Sequence, residues 1–380
     1  MNASTTAYRG ARIFDGVRMH TGAALLMSGT RIDRIVPVGE LPASAERIDL
    51  DGGILCPGFV DLQVNGGDGV LFNDAPTPDT LTRMARAHAG LGATSILPTL
   101  ITDTPAVTAA AIDATEQAIA AGTPGIAGLH LEGPHLSPTR PGAHDPSLIC
   151  PMDESDLQQL IEAARRLPAL KVTLAPESVT EMQIGALAQA GIIVSLGHSD
   201  ASFEMAQRAT RAGATCVTHL FNAMSQLGNR EPGLVGAALS LGALSAGLIA
   251  DLIHVHPEAI RTALAAKTGP GAIFLVSDAM APAGSEITGF ELNGRRIARR
   301  DGKLTLPDGT LAGADLDMAT AVRNLVGLGV PAEQALAMAT SIPARLIGAG
   351  AGVGQLVPGE ASPLMHLSDE MSLIKVWQTT

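Results

Sequence analysis

The first 58 residues carry short apolar runs separated by glycine and proline, without the spacing of amphipathic helices. These runs predict strands at 11–14, 23–27, 32–38, 47–50 and 53–55. Similar runs near the other end of the chain predict completing strands at 352–356, 364–367 and 372–376. Such strands must bury their apolar faces, so we expect one small β-sandwich domain built from residues 1–58 and 346–380.

From residue 59 the pattern becomes a β-rich run, a turn and a helical stretch, repeated along the chain. The predicted strands are 59–64, 95–100, 126–131, 171–174, 192–196, 215–218, 246–249 and 272–276. The predicted helices are 79–90, 105–121, 153–165, 181–190, 202–212, 257–266, 315–328 and 331–339. Eight strands alternating with helices are typical of an α/β, TIM-like (β/α)8 barrel. We place this barrel at residues 59–345, with a β-rich insertion near 286–310.

Composition narrows the classes of partner. The net charge of −12 argues against nucleic acid, because binding a phosphate backbone needs a basic face, although a small anion needs only a few local donors. Residues 1–10 lack a signal-peptide pattern, and the uncharged stretch 234–250 is short for a membrane span, so we assign it to the barrel interior. Three cysteines without CxxC spacing fit a reducing cytoplasm.

Candidate metal ligands follow directly after three predicted barrel strands. They are Glu132, His198 and His219. Parallel barrels place catalytic groups at these carboxyl ends, and one carboxylate with two imidazoles leaves an open position on Zn²⁺ for water. Asp278 follows the eighth strand and could move the protons of that water.

Each of these residues also has a purely structural interpretation. A lone histidine at a strand end is usually a buried core residue, and Asp278 could cap a helix. His130 points to the same face as Glu132, where packing or support is favoured over ligation. Arg230 lies in an irregular loop and could be a solvated charge, but arginine is well suited to phosphate.

The chain resembles the N-acetylglucosamine-6-phosphate deacetylases of the amidohydrolase superfamily over nearly its whole length. The resemblance is carried, in order, by PGFVD at 57–61, HLEGP at 130–134, GAH at 142–144, LGHS at 196–199, THLFNAM at 218–224 and SDAMAP at 277–282. One departure is the run Ala361-Ser362-Pro363, where the family usually has Ala-Asp-Leu. This departure lies in the predicted β-sandwich and touches no catalytic position.

The resemblance implies a role for each matching residue. It implies Glu132, His198 and His219 as metal ligands and Asp278 as the catalytic acid and base. It places the following residues around the sugar phosphate: Ala143, His144, Asn222, Ala223, Arg230, Asp251, His254, Leu311, Ala312 and Gly313. Many metal-dependent amidohydrolases carry His-x-His after the first barrel strand, whereas this chain has Gln63 and Asn65, so we expect one metal ion.

The resemblance implies deacetylation of N-acetyl-D-glucosamine 6-phosphate by a cytoplasmic homodimer. Zn²⁺ is the favoured metal, with Fe²⁺ or another divalent ion as alternatives. Two other functions stay open at this point: deacetylation of the galactosamine epimer and non-catalytic sensing of a sugar phosphate. The phosphate-binding residues argue against an N-acyl amino acid as substrate. Whether Arg230 acts in its own subunit or in the partner also stays open.

Overall fold

The computed structural model describes residues 5–378, which form twenty-three strands and ten α-helices. The strands are β1 (Thr5–Arg9), β2 (Arg12–Phe14), β3 (Met19–His20), β4 (Ala23–Ser28), β5 (Arg31–Pro37), β6 (Glu46–Asp49), β7 (Ile54–Pro57), β8 (Phe59–Val64), β9 (Gly66–Gly67), β10 (Val70–Leu71), β11 (Ala93–Ile101), β12 (Leu129–Glu132), β13 (Leu170–Leu174), β14 (Ile193–Leu196), β15 (Cys216–Val217), β16 (Ser245–Leu248), β17 (Ile273–Leu275), β18 (Gly289–Leu292), β19 (Arg295–Arg300), β20 (Lys303–Thr305), β21 (Leu311–Ala314), β22 (Leu364–Leu367) and β23 (Leu373–Trp377). The helices are α1 (Pro78–Gly90), α2 (Pro105–Ala120), α3 (Glu154–Arg166), α4 (Glu181–Gln189), α5 (Phe203–Ala212), α6 (Gly233–Ser240), α7 (Pro257–Ala266), α8 (Met318–Gly327), α9 (Ala332–Ala339) and α10 (Ser341–Leu346).

The two chain ends form two sheets. One has the order β5-β4-β1-β6, and the other has the order β23-β22-β7-β2-β3. Tyr8, Ile13, Leu25, Leu55 and Leu364 belong to one buried apolar cluster that draws on both sheets. The predicted fold class, a TIM-like barrel with a small β-sandwich, is therefore confirmed. The domain bounds 1–58 with 346–380, and 59–345, stay a prediction, and residues 1–4 and 379–380 lie outside the described residues.

Eight parallel strands form the barrel in the order β8-β11-β12-β13-β14-β15-β16-β17. The first and last strands meet beyond their ends, where Asp278 N–H donates to Gln63 O (3.1 Å) and Asn65 N–H donates to Ala279 O (2.8 Å). This closure brings Gln63, Asn65 and Asp278 to one point at the carboxyl end of the barrel. The predicted barrel strands all correspond to strands of the structure within a few residues.

Local sequence signals explain where most of the barrel helices begin. Thr77 and Thr104 cap α1 and α2 with their side chains, and proline follows each cap. Asp153 with Asp156 forms a reciprocal capping box at the start of α3. Helix α6 was not predicted, because its glycine and alanine positions are buried on every side and show no amphipathic pattern. The prediction that 234–250 belongs to the barrel interior therefore holds only for β16, since α6 occupies the first part of the stretch.

The insertion is an antiparallel sheet of the order β18-β19-β20-β21. Phe290, Ile297 and Leu304 pack in one apolar cluster with Leu71 and Met280 beside the mouth of the barrel. The predicted β-rich insertion therefore forms, and it extends through β21.

The predicted strand at 352–356 was wrong. Gly352 (φ +94°) and Gly354 (φ +65°) adopt left-handed backbone conformations, and the segment forms turns. Leu356 still packs in the apolar cluster of the terminal sheets. Among residues 5–378, no helix combines the length and the apolar character that crossing a membrane requires.

Candidate active site

Glu132, His198 and His219 point their donor atoms at one position. Glu132 Oε1 lies 3.1 Å from His198 Nε2 and 3.0 Å from His219 Nε2, and the two Nε2 atoms are 3.0 Å apart. All three side chains are buried. Glu132 ends β12, while each histidine lies two residues beyond the end of β14 or β15. Three parallel strands of the same sheet, β12, β14 and β15, therefore bring the trio together at one edge of the barrel.

The backbone at these strand ends is unusual. His198 (φ 47°), His219 (φ 29°) and Asp278 (φ 52°) all lie in the left-handed region, which residues with a Cβ seldom occupy. Such strained positions concentrate at functional sites, where surrounding structure enforces them. His198 Nδ1–H donates to Arg140 O at 2.9 Å, which leaves the lone pair of Nε2 directed at the trio.

Asp278 is fixed by two amides at the end of the first barrel strand, Gln63 within β8 and Asn65 directly after it. Its Oδ1 accepts from Gln63 Nε2 (3.0 Å) and from Asn65 Nδ2 (2.8 Å). Gln63 Nε2 also donates to Glu132 Oε2 at 3.2 Å and so couples Asp278 to the trio. Oδ2 of Asp278 has no hydrogen-bond partner among residues 5–378, and the residue lines the cavity. One carboxylate oxygen is thus held, and the other is available for chemistry.

The two carboxyl groups differ in proton affinity because only Glu132 is hydrogen-bonded by the two histidines. Burial raises the pKa of Asp278, and the Glu132 carboxylate raises it further. Burial also acts to raise the pKa of Glu132, but hydrogen bonds from His198 and His219 hold that pKa well below its usual range. Glu132 is therefore suited to be an anionic ligand, while Asp278 binds a proton more readily than an ordinary aspartate.

His144 presents a neutral ring to the cavity. Its Nδ1 accepts from Thr102 N–H at 3.3 Å and lies 2.8 Å from Thr102 Oγ1, so Nε2 carries the ring proton. Burial and the nearby His198 lower the pKa of His144 to about 3. The ring therefore acts as a hydrogen-bond donor near neutral pH.

His254 also lines the cavity, and Asp251 fixes its position. Its Nδ1 lies 2.6 Å from Asp251 Oδ2, and Asp251 Oδ1 accepts from the backbone N–H of His254 at 2.8 Å. Asp251 is therefore a supporting residue for His254 in this structure. His256 caps α7 instead, as its side chain accepts from Glu258 N–H.

A cavity of about 410 Å³ opens above the trio. Most of the predicted binding residues line it: Ala143, His144, Asn222, Ala223, His254, Leu311, Ala312 and Gly313. Gly313 has φ +66°, and a Cβ there would come within 2.4 Å of Met280 Cγ. The structure does not bring Arg230 into this cavity, since Arg230 is exposed on the segment between β15 and α6.

Sequence reasoning missed two arginines at the cavity. Arg140 lines it and pairs through its guanidinium with Asp200 (2.6 Å). Arg295 of β19 donates to Ala143 O and so ties the insertion to the loop that carries His144. Neither arginine lies in a strand-end motif, and their contacts depend on loops far apart in the sequence.

The trio fits a divalent metal ion. Three donor atoms about 3 Å apart approach the edge of roughly 3.4 Å that a tetrahedral shell of ~2.1 Å bonds would have. One carboxylate and two oriented imidazoles are ligands that Zn²⁺ and Fe²⁺ both accept. Within residues 5–378 this is the one cluster whose donor atoms converge in this way.

Comparison with known proteins agrees with this geometry. Residues 54–367 match the model of the amidohydrolase family. An N-acetylgalactosamine-6-phosphate deacetylase of Shewanella sp. (strain ANA-3) is 42% identical over 339 residues, covering 89% of this chain and 85% of that protein. An N-acetylglucosamine-6-phosphate deacetylase of Haemophilus influenzae is 34% identical over 355 residues, covering 92% of each chain.

A solved structure gives the same assignment. The crystal structure of N-acetylglucosamine-6-phosphate deacetylase from Pasteurella multocida superposes with a TM-score of 0.93 at 34% identity, covering 98% of each chain. The resemblance recognised in the sequence is thereby confirmed. The chain belongs to the amidohydrolase family, and within it to the N-acetylglucosamine- and N-acetylgalactosamine-6-phosphate deacetylases.

Proposed function

We propose that this protein removes acetate from N-acetyl-D-glucosamine 6-phosphate, giving D-glucosamine 6-phosphate. The observation that carries the proposal is the convergence of Glu132, His198 and His219 in one cavity. Asp278 lies beside them with only one of its carboxylate oxygens hydrogen-bonded. A non-catalytic sensor would need a cavity for the sugar phosphate, but it would have no use for this pairing of a metal site with a proton acceptor.

One divalent ion per chain, favoured as Zn²⁺, completes the site in this proposal. Glu132, His198 and His219 would hold it, and when bound it would polarise the acetamide carbonyl and acidify an attacking water. Gln63 and Asn65 hydrogen-bond the carboxylates of Asp278 and Glu132 through their amide nitrogens. Their amide oxygens are poor replacements for imidazole on Zn²⁺, so we propose no second site there.

Asp278 moves the protons of the reaction. Its free Oδ2 takes a proton from the attacking water as the new C–O bond forms, and Gln63 and Asn65 keep Oδ1 in place. The same Oδ2 then delivers that proton to the amide nitrogen as the C–N bond breaks, which yields the amine and acetic acid. The remaining proton of the water passes from the acid to the amine, so the products at neutral pH are the ammonium form of the sugar and acetate. The raised pKa of Asp278 suits both halves of this transfer.

The cavity walls orient the sugar in this proposal. His144 Nε2–H donates to a sugar hydroxyl, while His254, held by Asp251, supports the carbonyl oxygen or the sugar. Asn222 and Ala223 line the cavity and contribute to the phosphate site. Arg230 of the partner subunit supplies the positive charge that binds the phosphate, because in its own chain Arg230 lies outside the cavity.

Two further parts of the proposal concern assembly and location. Leu227 is 57% exposed on the segment that carries Arg230, an apolar side chain that supports contact with a second copy. Cys56, Cys150 and Cys216 are free thiols, which supports a reducing cytoplasm. Homodimerisation and cytoplasmic location are therefore both retained as proposals.

The galactosamine epimer is a second candidate substrate, favoured by the 42% identity to the Shewanella enzyme against 34% to the Haemophilus enzyme. Acetate release should be measured with the 6-phosphates of N-acetylglucosamine and N-acetylgalactosamine, with unphosphorylated N-acetylglucosamine, and with an N-acetylated amino acid. A kcat/KM at least tenfold higher for N-acetylglucosamine 6-phosphate than for N-acetylgalactosamine 6-phosphate supports the proposal. A preference for the galactosamine phosphate would replace the substrate, and release from none would refute the reaction.

A further inference from the structure

A fully buried lysine lies one layer below the metal ligands, and the reaction above does not use it. Lys171 is 1% exposed, near the start of β13, and its register partner on β12 is His130. Glu132 pairs with Thr173 in the next inward-facing position of the same two strands. Among residues 5–378, Lys171 is the one buried lysine or arginine.

The hydrogen bonds around Lys171 have a defined direction. Thr99 Oγ1 donates to Leu97 O (3.2 Å), so toward His130 Nδ1 (3.1 Å) it must accept, and Nδ1 carries the ring proton. His130 Nε2 is then an acceptor, and it lies 3.4 Å from Lys171 Nζ and 2.7 Å from Thr173 Oγ1.

Hydroxyl groups extend this arrangement across the barrel. Thr173 donates to His130, so Thr173 Oγ1 accepts from Thr218 Oγ1 (2.6 Å), which in turn accepts from Ser195 Oγ (2.6 Å). Every side chain in the chain of bonds is buried. The network therefore holds His130 with its Nε2 lone pair on Thr173, and it supplies no negative charge to Lys171.

The charges that balance Lys171 come from the site above it. Burial lowers the pKa of Lys171, and the buried carboxyl groups of Glu132, Asp278 and Asp61 oppose this shift. A divalent ion at the trio would bring two further positive charges close to the buried ammonium.

We propose that Lys171 limits how tightly a divalent ion binds at the trio, because its buried ammonium lies one layer below the ligands. Before metal binds, the ammonium compensates part of the repulsion among the carboxylates. After metal binds, it repels the ion. The inference rests on the proposed metal site and deepens it.

The test compares Zn²⁺ affinity of purified Lys171→Met and wild-type protein, measured by competition with a chromophoric chelator. We expect Lys171→Met to bind Zn²⁺ at least about tenfold more tightly, because the interior becomes more negative. A residue with only a packing role would change affinity in the other direction, since its loss would disturb the ligands. Lys171→Arg keeps the charge and should stay near the wild-type affinity.

Thr173→Val is the matched control, because it breaks the same hydroxyl network without changing charge. It should not tighten Zn²⁺ binding. Unchanged or weaker binding in Lys171→Met, or tighter binding in Thr173→Val, would overturn the inference. If Lys171→Met does not fold without metal, growth with Zn²⁺ should restore folded protein, and a failure to do so would also overturn it.

Failure of the underlying metal site can be recognised separately. Glu132→Gln should lose Zn²⁺ in both the wild-type and the Lys171→Met background. If wild-type protein binds no metal that depends on Glu132, the proposed function fails before the role of Lys171 is tested.

Discussion

The two carboxylate oxygens of Asp278 differ in their contacts. Oδ1 accepts hydrogen bonds from two amides, whereas Oδ2 has no hydrogen-bond partner among residues 5–378, and the residue lines the cavity. Asp278→Asn should keep the fold and the bound metal, but kcat should fall by at least about 100-fold, the low end for a general acid and base. Metal content and substrate affinity serve as controls in the same preparation. Retention of most of the turnover would show that another group moves the protons.

Asp61 gives a prediction about stability and pH. Burial raises the pKa of Asp61 to about 7, although N–H groups of Ser277 and Gln63 donate to the carboxylate. Because the folded pKa exceeds the unfolded one, the stabilising contribution is complete below about pH 4 and is lost as pH rises through about 7.

Asp61→Asn removes this titration. Relative to the wild type, the free energy of unfolding of the variant should therefore increase between pH 5 and pH 8, by at most about 2.7 kcal/mol. Denaturant unfolding at both pH values, at equal metal content, measures the difference. A difference that stays constant with pH would show that Asp61 does not titrate in this range.

At the scale of elements, the loop 140–144 is held by three separate parts of the fold. Arg140 O accepts from His198, Ala143 O accepts from Arg295 of β19, and His144 accepts from Thr102. Arg295→Met should release the Ala143 end of this loop and raise KM about tenfold, as expected for loss of one charged hydrogen bond.

Arg296→Met is the matched control for that measurement, because Arg296 is exposed on the same strand. It should leave KM unchanged. A similar rise of KM in both variants would indicate a general effect of charge on β19. An unchanged KM for Arg295→Met would show that substrate binding does not depend on the hydrogen bond from Arg295 to the loop.

The elements also show what the sequence could and could not predict. Glu132, His198, His219 and Asp278 follow strands whose apolar runs are legible in the sequence, so their meeting follows from barrel topology alone. The contact of Arg295 with Ala143 spans 152 positions and depends on the packing of an insertion, for which no periodic signal exists. Helix α6 was not predicted because it is buried on every side and shows no amphipathic pattern. The turn at 352–356 was predicted as a strand because the run is otherwise strand-like, and its glycines interrupt it.

At the scale of the whole molecule, a chain with a charge of −12 must concentrate cations to hold a phosphate. Arg230 is exposed outside the cavity of its own chain, so we expect it to act in a partner's site. Arg230→Ala should raise KM for the phosphorylated sugar by the equivalent of about 2–3 kcal/mol of binding free energy. The rise of KM for unphosphorylated N-acetylglucosamine should be far smaller.

Mixing variants tests the placement of Arg230 across the dimer. A hybrid of Arg230→Ala and Asp278→Asn chains would contain one site with both residues intact, so mixing should restore part of the activity. No recovery despite verified hybrid dimers would place Arg230 in its own subunit. Equal losses with both sugars would leave Arg230 as a solvated charge.

One metal ion, held by Glu132, His198 and His219, is expected to support deacetylation. Zn²⁺ should be added in steps to metal-stripped protein, and acetate release from N-acetylglucosamine 6-phosphate should be recorded together with bound metal per chain. We expect activity to rise in proportion to bound metal and to reach its plateau at about one ion per chain. A plateau only at two ions per chain, or full activity without metal, would contradict it.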